Sequence, residues 1–152
     1  MGKTDYAAAY RDIDIRQEPD RYVIGRGEQG VLIAQPYKSE ILPFWRFATP
    51  EIAKASAEKI YQLFNDYKAA KDFVGMDMAR KFLQMGWTRS RRYANHASGD
   101  KYNQDGTVKK QDSGSEQSAK AESARIFFEI YSIAKNDEIY LELKELHKQK
   151  QK

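Results

Sequence analysis

Two consecutive amphipathic segments between positions 49 and 86 constrain the fold more than any other feature of the sequence. Thr49 is a favoured N-cap, Pro50 suits the first helical position, and Gly86 is typical of the residue that follows a helix. The apolar residues recur at helical spacing in each segment: Ile60, Leu63, Phe64 and Tyr67 in the first, and Val74, Met78, Phe82 and Met85 in the second. The pattern predicts two helices, the second starting at Asp72 and ending before Gly86.

Further helices are predicted on either side of a polar stretch. "WTRSRRYANH" predicts a short third helix capped by Thr88, and the apolar spacing that returns at Ala119 predicts two more, separated near Asn136. We expect residues 97–118 to form a flexible polar loop and residues 147–152 to form a frayed basic tail. One shared core is expected to contain Met78, Phe82, Leu63, Phe64, Phe128, Tyr131 and Leu143.

The N-terminal part of the chain follows a different pattern. Residues 1–20 are polar and are expected to form an extended arm, whereas "YVIGRGEQGVLIA" at residues 22–34 is typical of two strands joined by a glycine-rich turn. The predicted fold class is therefore α+β. A small N-terminal β-hairpin or short antiparallel sheet would pack on four or five helices in a single domain of 152 residues.

The turn itself resembles a nucleotide-binding loop, because Gly25, Gly27 and Gly30 match the spacing G-x-G-x-x-G. A dinucleotide-binding loop would open a helix, but strand-like "VLIAQPY" follows here. A protein-kinase loop fits locally, although the kinase catalytic motifs are missing from the sequence. The favoured interpretation is a hairpin whose glycines supply positive φ. The alternative is a loop that binds a phosphate or nucleotide with the help of Arg26.

The basic residues are unevenly distributed along the chain. The net charge is +4, and residues 76–110 contain eight Lys and Arg against three Asp. Within this segment, helix, glycine and helix resemble a helix-turn-helix, although Phe82 and Arg92 occupy positions where that motif has a small and an aliphatic residue. The candidate nucleic-acid-binding residues are Arg80, Lys81, Arg89, Arg91 and Arg92 for phosphates, Trp87 and Tyr93 for stacking, and Asn95 for base contacts.

These features predict a small basic nucleic-acid-binding protein, with DNA and RNA both open as partners. The alternatives are the small phosphate ligand at the glycine loop and an acidic host protein for which this chain would be an adaptor. A solvated basic face without a partner is the plain structural interpretation of the same residues.

Catalytic and metal-binding patterns are missing from the sequence. The chain has no cysteine, and of its two histidines we expect His147 to lie on the surface and His96 to cap a helix end. Asp12 and Asp14 alone do not define a metal site. We therefore expect no enzyme activity, no cofactor and no metal. Since no long apolar run or secretory signal occurs, a cytoplasmic location without membrane contact is predicted.

Four runs, "GRGEQGVL", "PYKSEILPFWRF", "FVGMDMARKFLQMG" and "RRYANH", resemble those of a domain-of-unknown-function family found in bacteria, tailed phages (cyanophages among them) and some fungi. The resemblance extends over nearly the whole chain. It implies a compact stand-alone domain of phage or bacterial origin, with a variable insertion around residues 103–118. It implies no particular activity.

Overall fold

The computed structural model describes residues 13–24, 34–95 and 115–150. Short 3₁₀ turns occupy Pro19–Arg21 and Leu42–Phe44. The five helices of these ranges are α1 (Tyr37–Ile41), α2 (Pro50–Ala69), α3 (Phe73–Asn95), α4 (Ser115–Lys135) and α5 (Glu138–Lys150). Helix α2 packs against α3 and α4, the most extensive helix contact is between α3 and α4, and α5 contacts both of them.

The predicted α+β class is wrong, since the described ranges are helical and contain no strand. On one flank of the expected hairpin, Tyr22 is buried and its hydroxyl donates to Asp77 on α3. On the other flank, the Ala34 carbonyl accepts a hydrogen bond from the Lys38 amide at 2.9 Å. The chain therefore passes from Ala34 directly into α1. Within the described flanks, Tyr22, Ile24 and Ala34 pack into or against the core of the helices. The expected turn, residues 25–33, lies outside the described ranges.

Helix α2 begins as predicted. Thr49 adopts extended backbone angles, and its Oγ1 accepts a hydrogen bond from the Ile52 amide at 3.2 Å. Pro50 is the first helical residue, where the missing amide hydrogen leaves no carbonyl unpaired. The buried face of the helix carries Ala53, Ala57, Ile60, Phe64 and Tyr67. The predicted cap and apolar face are thus confirmed.

The connection between α2 and α3 is short and tightly hydrogen-bonded. Lys71 adopts a left-handed conformation with φ of 56°, and its amide donates to the Lys68 carbonyl at 3.0 Å. The Asp72 amide donates to the Tyr67 carbonyl at 2.8 Å, which completes a Schellman-type end for α2. Asp72 then caps α3, because its Oδ1 accepts from the Gly75 amide at 3.0 Å. The predicted start of the second helix is confirmed.

Gly86 does not end α3, and the helix-turn-helix interpretation is therefore wrong. The helix continues through Gly86 to Asn95, and the Thr88 hydroxyl donates within it to the Met85 carbonyl at 3.3 Å. A Cβ atom at position 86 would lie 2.4 Å from Cδ1 of Phe127 on α4. The glycine is required because an aromatic ring packs directly on the helix backbone, which brings α3 and α4 close together.

One apolar core connects the described elements. Phe64, Met78 and Phe82 are fully buried, Tyr131 is nearly so, and Leu63 and Leu143 are partly buried against the same core. Phe128 was expected in the core but is 42% exposed, so that prediction is wrong. It follows Phe127, which is the neighbour that faces Gly86, and therefore points away from the α3 contact.

The terminal predictions have mixed outcomes. Residues 13–17 turn rather than extend, with Ile15 fully buried, while residues 1–12 lie outside the described ranges. Most of the expected polar loop lies outside them, as does His96, and α4 begins in the last part of that loop at Ser115. Helix α5 continues to Lys150, and the surface position expected for His147 is wrong because this residue is buried.

Candidate functional site

Two of the predicted phosphate-contacting residues lie in the interior. Arg80 and Lys81 are buried on α3, next to the fully buried carboxylate of Asp77. Arg80 Nη2 lies 2.7 Å from Asp77 Oδ1, and Lys81 Nζ lies 3.7 Å from Asp77 Oδ2. The two cations follow the aspartate by three and four residues, which places all three side chains on one side of the helix.

Two tyrosines complete the surroundings of Asp77. The Tyr140 hydroxyl donates to Oδ1 at 2.6 Å, and the Tyr22 hydroxyl donates to Oδ2. Burial by itself would raise the pKa of Asp77, but Arg80, Lys81 and these two hydrogen bonds outweigh it and lower the pKa to about 2. The carboxylate is therefore charged and fully paired under ordinary conditions.

The same environment also lowers the pKa of Lys81, which for a lysine disfavours the charged form. Burial lowers its pKa to about 8, although the nearby charge of Asp77 opposes that change. Its ammonium group also lies 4.9 Å from the centre of the Tyr22 ring. This buried network ties the segment around Tyr22 to α3 and α5. Arg80 and Lys81 face partners inside the protein, so neither residue belongs to the candidate binding surface.

The remaining predicted residues lie on the C-terminal half of α3. Arg91 and Arg92 are exposed, whereas Arg89, Trp87 and Tyr93 are half-buried. The Tyr93 ring stacks on Phe47 with a centroid distance of 6.2 Å and an interplanar angle of 28°. Tyr93 thus has an internal partner for its ring, and the side chain of Asn95 lies outside the description. Trp87 and Arg91 are the predicted residues that share a groove.

We call this depression the aromatic groove. It has a volume of about 620 Å³ and is formed by residues of α3 and α4, namely Trp87, Arg91, Ala121, Glu122, Ala124, Arg125 and Phe128. Phe128 and Trp87 contact each other with a centroid distance of 4.8 Å, and Tyr131 stacks behind Trp87 at 6.0 Å and 19°. The close approach of the two helices holds these rings in place, while the small side chains of Ala121 and Ala124 leave the groove open.

The charges of the groove are mainly positive. Arg91 and Arg125 come from opposite walls, and both are exposed. Glu122 lies 4.0 Å from Arg125, but both side chains are more than half exposed, so water screens this pair strongly. The groove combines an accessible aromatic surface with two guanidinium groups. That combination suits a planar ligand that carries negative charge.

The predictions missed two contributors to this groove. Arg125 and Phe128 lie on α4, more than thirty positions after Trp87, and no local pattern connects them to it. A signal was present for Phe128, since two adjacent phenylalanines in a helix cannot face the same side. The predicted anion-binding residues Gly25, Arg26, Gly27 and Gly30 lie outside the described ranges, so the structure does not relate them to the groove.

Metal-binding clusters and membrane-spanning helices are both absent from the described ranges. Residues 13–24, 34–95 and 115–150 contain no cluster of three or more His, Asp or Glu side chains that could hold a metal ion. Within the same ranges, none of the helices combines the length and apolarity needed to cross a bilayer.

Comparison with known proteins gives one match. No curated protein and no solved structure matches the chain. Residues 5–150 match the model of a family described as a domain of unknown function, DUF4385. That range includes the Asp77 network, the aromatic groove and nearly all of the chain. The protein therefore belongs to the DUF4385 family.

Proposed function

We propose that this protein binds single-stranded nucleic acid through the aromatic groove and has no catalytic activity. The observation that carries the proposal is the exposed ring of Phe128 beside Trp87, between Arg91 on one wall and Arg125 on the other. Proteins that hold single strands combine such aromatic surfaces with cations that follow the backbone.

A single strand fits this arrangement better than a duplex. Each base stacked on an aromatic side chain contributes about 1–3 kcal/mol, and a duplex keeps the faces of its bases inside its own stack. The helix-turn-helix geometry that would read a major groove is replaced by one continuous helix, α3, packed along α4. The proposal therefore rests on stacking together with a small number of phosphate contacts.

The number of accessible cations sets the expected salt dependence. Arg91 and Arg125 line the groove, Arg92 is exposed beside it, and Arg80 and Lys81 are buried. For single strands, the logarithm of the binding constant falls by about 0.7 per phosphate neutralised for each unit of log salt concentration. Two to three contacts predict a slope of about −1.4 to −2.1. Contacts by all five residues predicted from the sequence would give a steeper slope.

The proposed setting is the cytoplasm of a bacterium or of a phage-infected cell. It follows from the resemblance of the four sequence runs to a family found in bacteria and tailed phages. Unpaired RNA and replicating DNA are both abundant there. The DNA and RNA arms of the binding assay distinguish these two partners.

Fluorescence anisotropy with labelled single-stranded and duplex DNA and RNA, at two salt concentrations, tests the proposal. Arg91→Glu combined with Arg125→Glu should abolish binding, and Phe128→Ala should weaken it by about 1–3 kcal/mol through the loss of stacking. A matched control combines Lys54→Glu with Lys148→Glu. It makes the same change in net charge at exposed positions outside the groove.

Three outcomes would contradict the proposal: no binding to any oligonucleotide, equal weakening in the control, or binding that salt does not affect. An acidic protein partner would instead be favoured by a different result. In that case the native protein binds no oligonucleotide but captures a protein from nuclease-treated lysate, and the Arg91→Glu, Arg125→Glu variant does not capture it. A thermal shift with a small nucleotide that the groove variant retains would favour the glycine loop.

A further inference from the structure

A second depression lies on another part of the molecule, and we call it the α5 groove. It has a volume of about 780 Å³, within the range of small-molecule sites. Its walls are the 3₁₀ turn at Pro19, the α2–α3 connection and the C-terminal half of α5. None of its lining residues belongs to the aromatic groove. An occupant of this groove is therefore independent of the function proposed above.

The floor of the α5 groove is apolar. Phe73 and Val74 are almost fully buried beneath it, and Leu143 and Leu146 project from α5, with Leu146 49% exposed. The Phe73 ring packs internally against Tyr140 and His147, at centroid distances of 5.8 and 5.1 Å. The floor thus offers aliphatic surface and no accessible ring on which a nucleobase could stack.

The rim of the groove carries charged side chains of both signs, and most of them already have partners. Asp72 is occupied by the Gly75 amide at 3.0 Å and the Tyr37 hydroxyl at 2.7 Å. Asp20 and Lys150 approach to 3.5 Å, but both side chains are largely exposed and the pair is weak. Arg16 also lines the groove, although Glu40 holds its guanidinium at 2.6 Å.

Lys71 supplies the available charge. Its side chain is exposed at the groove, and no carboxylate of the described ranges lies within ion-pair distance of its ammonium group. Its backbone adopts the left-handed conformation with φ of 56°, which glycine would occupy without strain. The Schellman-type end of α2 imposes this conformation and thereby fixes the position of Lys71 at the groove.

We propose that the α5 groove binds an amphipathic organic anion. The apolar body of the ligand would cover Leu143 and Leu146, and its carboxylate, sulfonate or phosphate group would pair with Lys71. Medium-chain fatty acids belong to this class. A free nucleotide does not, because its base would find no stacking surface on the floor.

The first experiment titrates the intact protein with the fluorescent sulfonate 8-anilinonaphthalene-1-sulfonate, and then displaces the probe with decanoate. We expect saturable binding of one probe in this groove. Leu146→Glu places a carboxylate on the floor, and Lys71→Glu reverses the charge at the rim. Each should raise the dissociation constant of the probe by about tenfold, the equivalent of about 1.4 kcal/mol.

Matched controls use the same substitutions elsewhere. Leu141→Glu alters a leucine that is 46% exposed on the same helix, and Lys148→Glu alters an exposed lysine there. Neither residue lines the groove, and both variants should bind the probe within about twofold of the native protein. Far-UV circular dichroism verifies that each variant is folded. Lys71→Gln provides a milder second variant.

Several results would overturn the proposal. Probe binding that is unchanged by both groove variants, or equally weakened by the controls, would show that the α5 groove is not the site. Binding that is lost in the Phe128→Ala variant would place the probe in the aromatic groove. Probe binding that neither decanoate nor octyl phosphate displaces would also overturn the proposal, because ligands with an aliphatic body and an anionic head would then not compete for the groove.

Discussion

The close approach of α3 and α4 at Gly86 leads to a quantitative prediction for Gly86→Ala. In an open helix this substitution would stabilise the protein by about 1 kcal/mol, because alanine is the better helix former. Here the added Cβ would lie 2.4, 2.5 and 2.7 Å from three atoms of the Phe127 ring. The ring must move by about 1 Å to restore ordinary contact. Overpacking of a buried site costs about 1–3 kcal/mol, and three simultaneous contacts favour the upper end.

The expected net effect is a loss of about 2 kcal/mol, which lowers the melting temperature by roughly 4–8 °C for a chain of this size. Urea unfolding followed by circular dichroism measures the difference. Phe127→Leu should relieve the clash. In a double-mutant cycle, the variant with both Gly86→Ala and Phe127→Leu should therefore lose less unfolding free energy than the two single variants lose together. The expected difference is about 1–2 kcal/mol. If Gly86→Ala alone stabilises the protein, the reasoning about this contact is refuted.

Three further predictions concern charges and helix ends. Asp77→Asn should destabilise the protein by about 3–5 kcal/mol in urea unfolding, because Arg80 and Lys81 lose their buried counter-ion. The pKa of Asp77 is about 2 in the fold against a usual 3.8, so its contribution is complete above pH 4 and is lost as the pH falls towards 2. The urea midpoint of the native protein should decline across that window more steeply than that of the variant. Lys71→Gly should raise the melting temperature, since glycine removes about 1 kcal/mol of left-handed strain; a lower value would contradict the strain. Asp137→Ala should cost about 1–2 kcal/mol in urea unfolding, because this residue caps α5 at the Tyr140 amide (2.9 Å) and pairs with Lys68 (2.8 Å), and an unchanged midpoint would refute both roles.

The helices that could be predicted are those whose signals are local. Thr49, Pro50 and the apolar spacing that follows depend only on neighbouring residues, and the structure confirms that start. Gly86 misled the prediction because a glycine that ends a helix and a glycine that admits a ring from another helix have the same sequence context. Only the position of Phe127, 41 residues later, distinguishes the two.

The candidate site was predictable in part for the same reason. Trp87 and Arg91 are four residues apart on one helix, so their shared face can be derived from spacing. Arg125 and Phe128 join them through the packing of α3 on α4, which no spacing reveals. The net charge of a segment does not show whether a side chain faces solvent or the core, so the sequence predicted Arg80 as a surface cation. Its distance of three positions from Asp77 was the available sign of an internal partner.

The surroundings of Asp77 also determine the order in which the molecule can be completed. Its carboxylate accepts one hydrogen bond from a residue 55 positions earlier and another from a residue 63 positions later, and His147 reaches the Tyr22 carbonyl across 125 positions. Synthesis proceeds from the N-terminus, so α5 leaves the ribosome after the other described helices. The segment around Tyr22 must then wait for α5 before its final contacts exist. During that interval Arg80 and Lys81 are already beside Asp77 on their own helix. The charges that will be enclosed are balanced by residues of the same helix, and the interior closes only after α5 has been made.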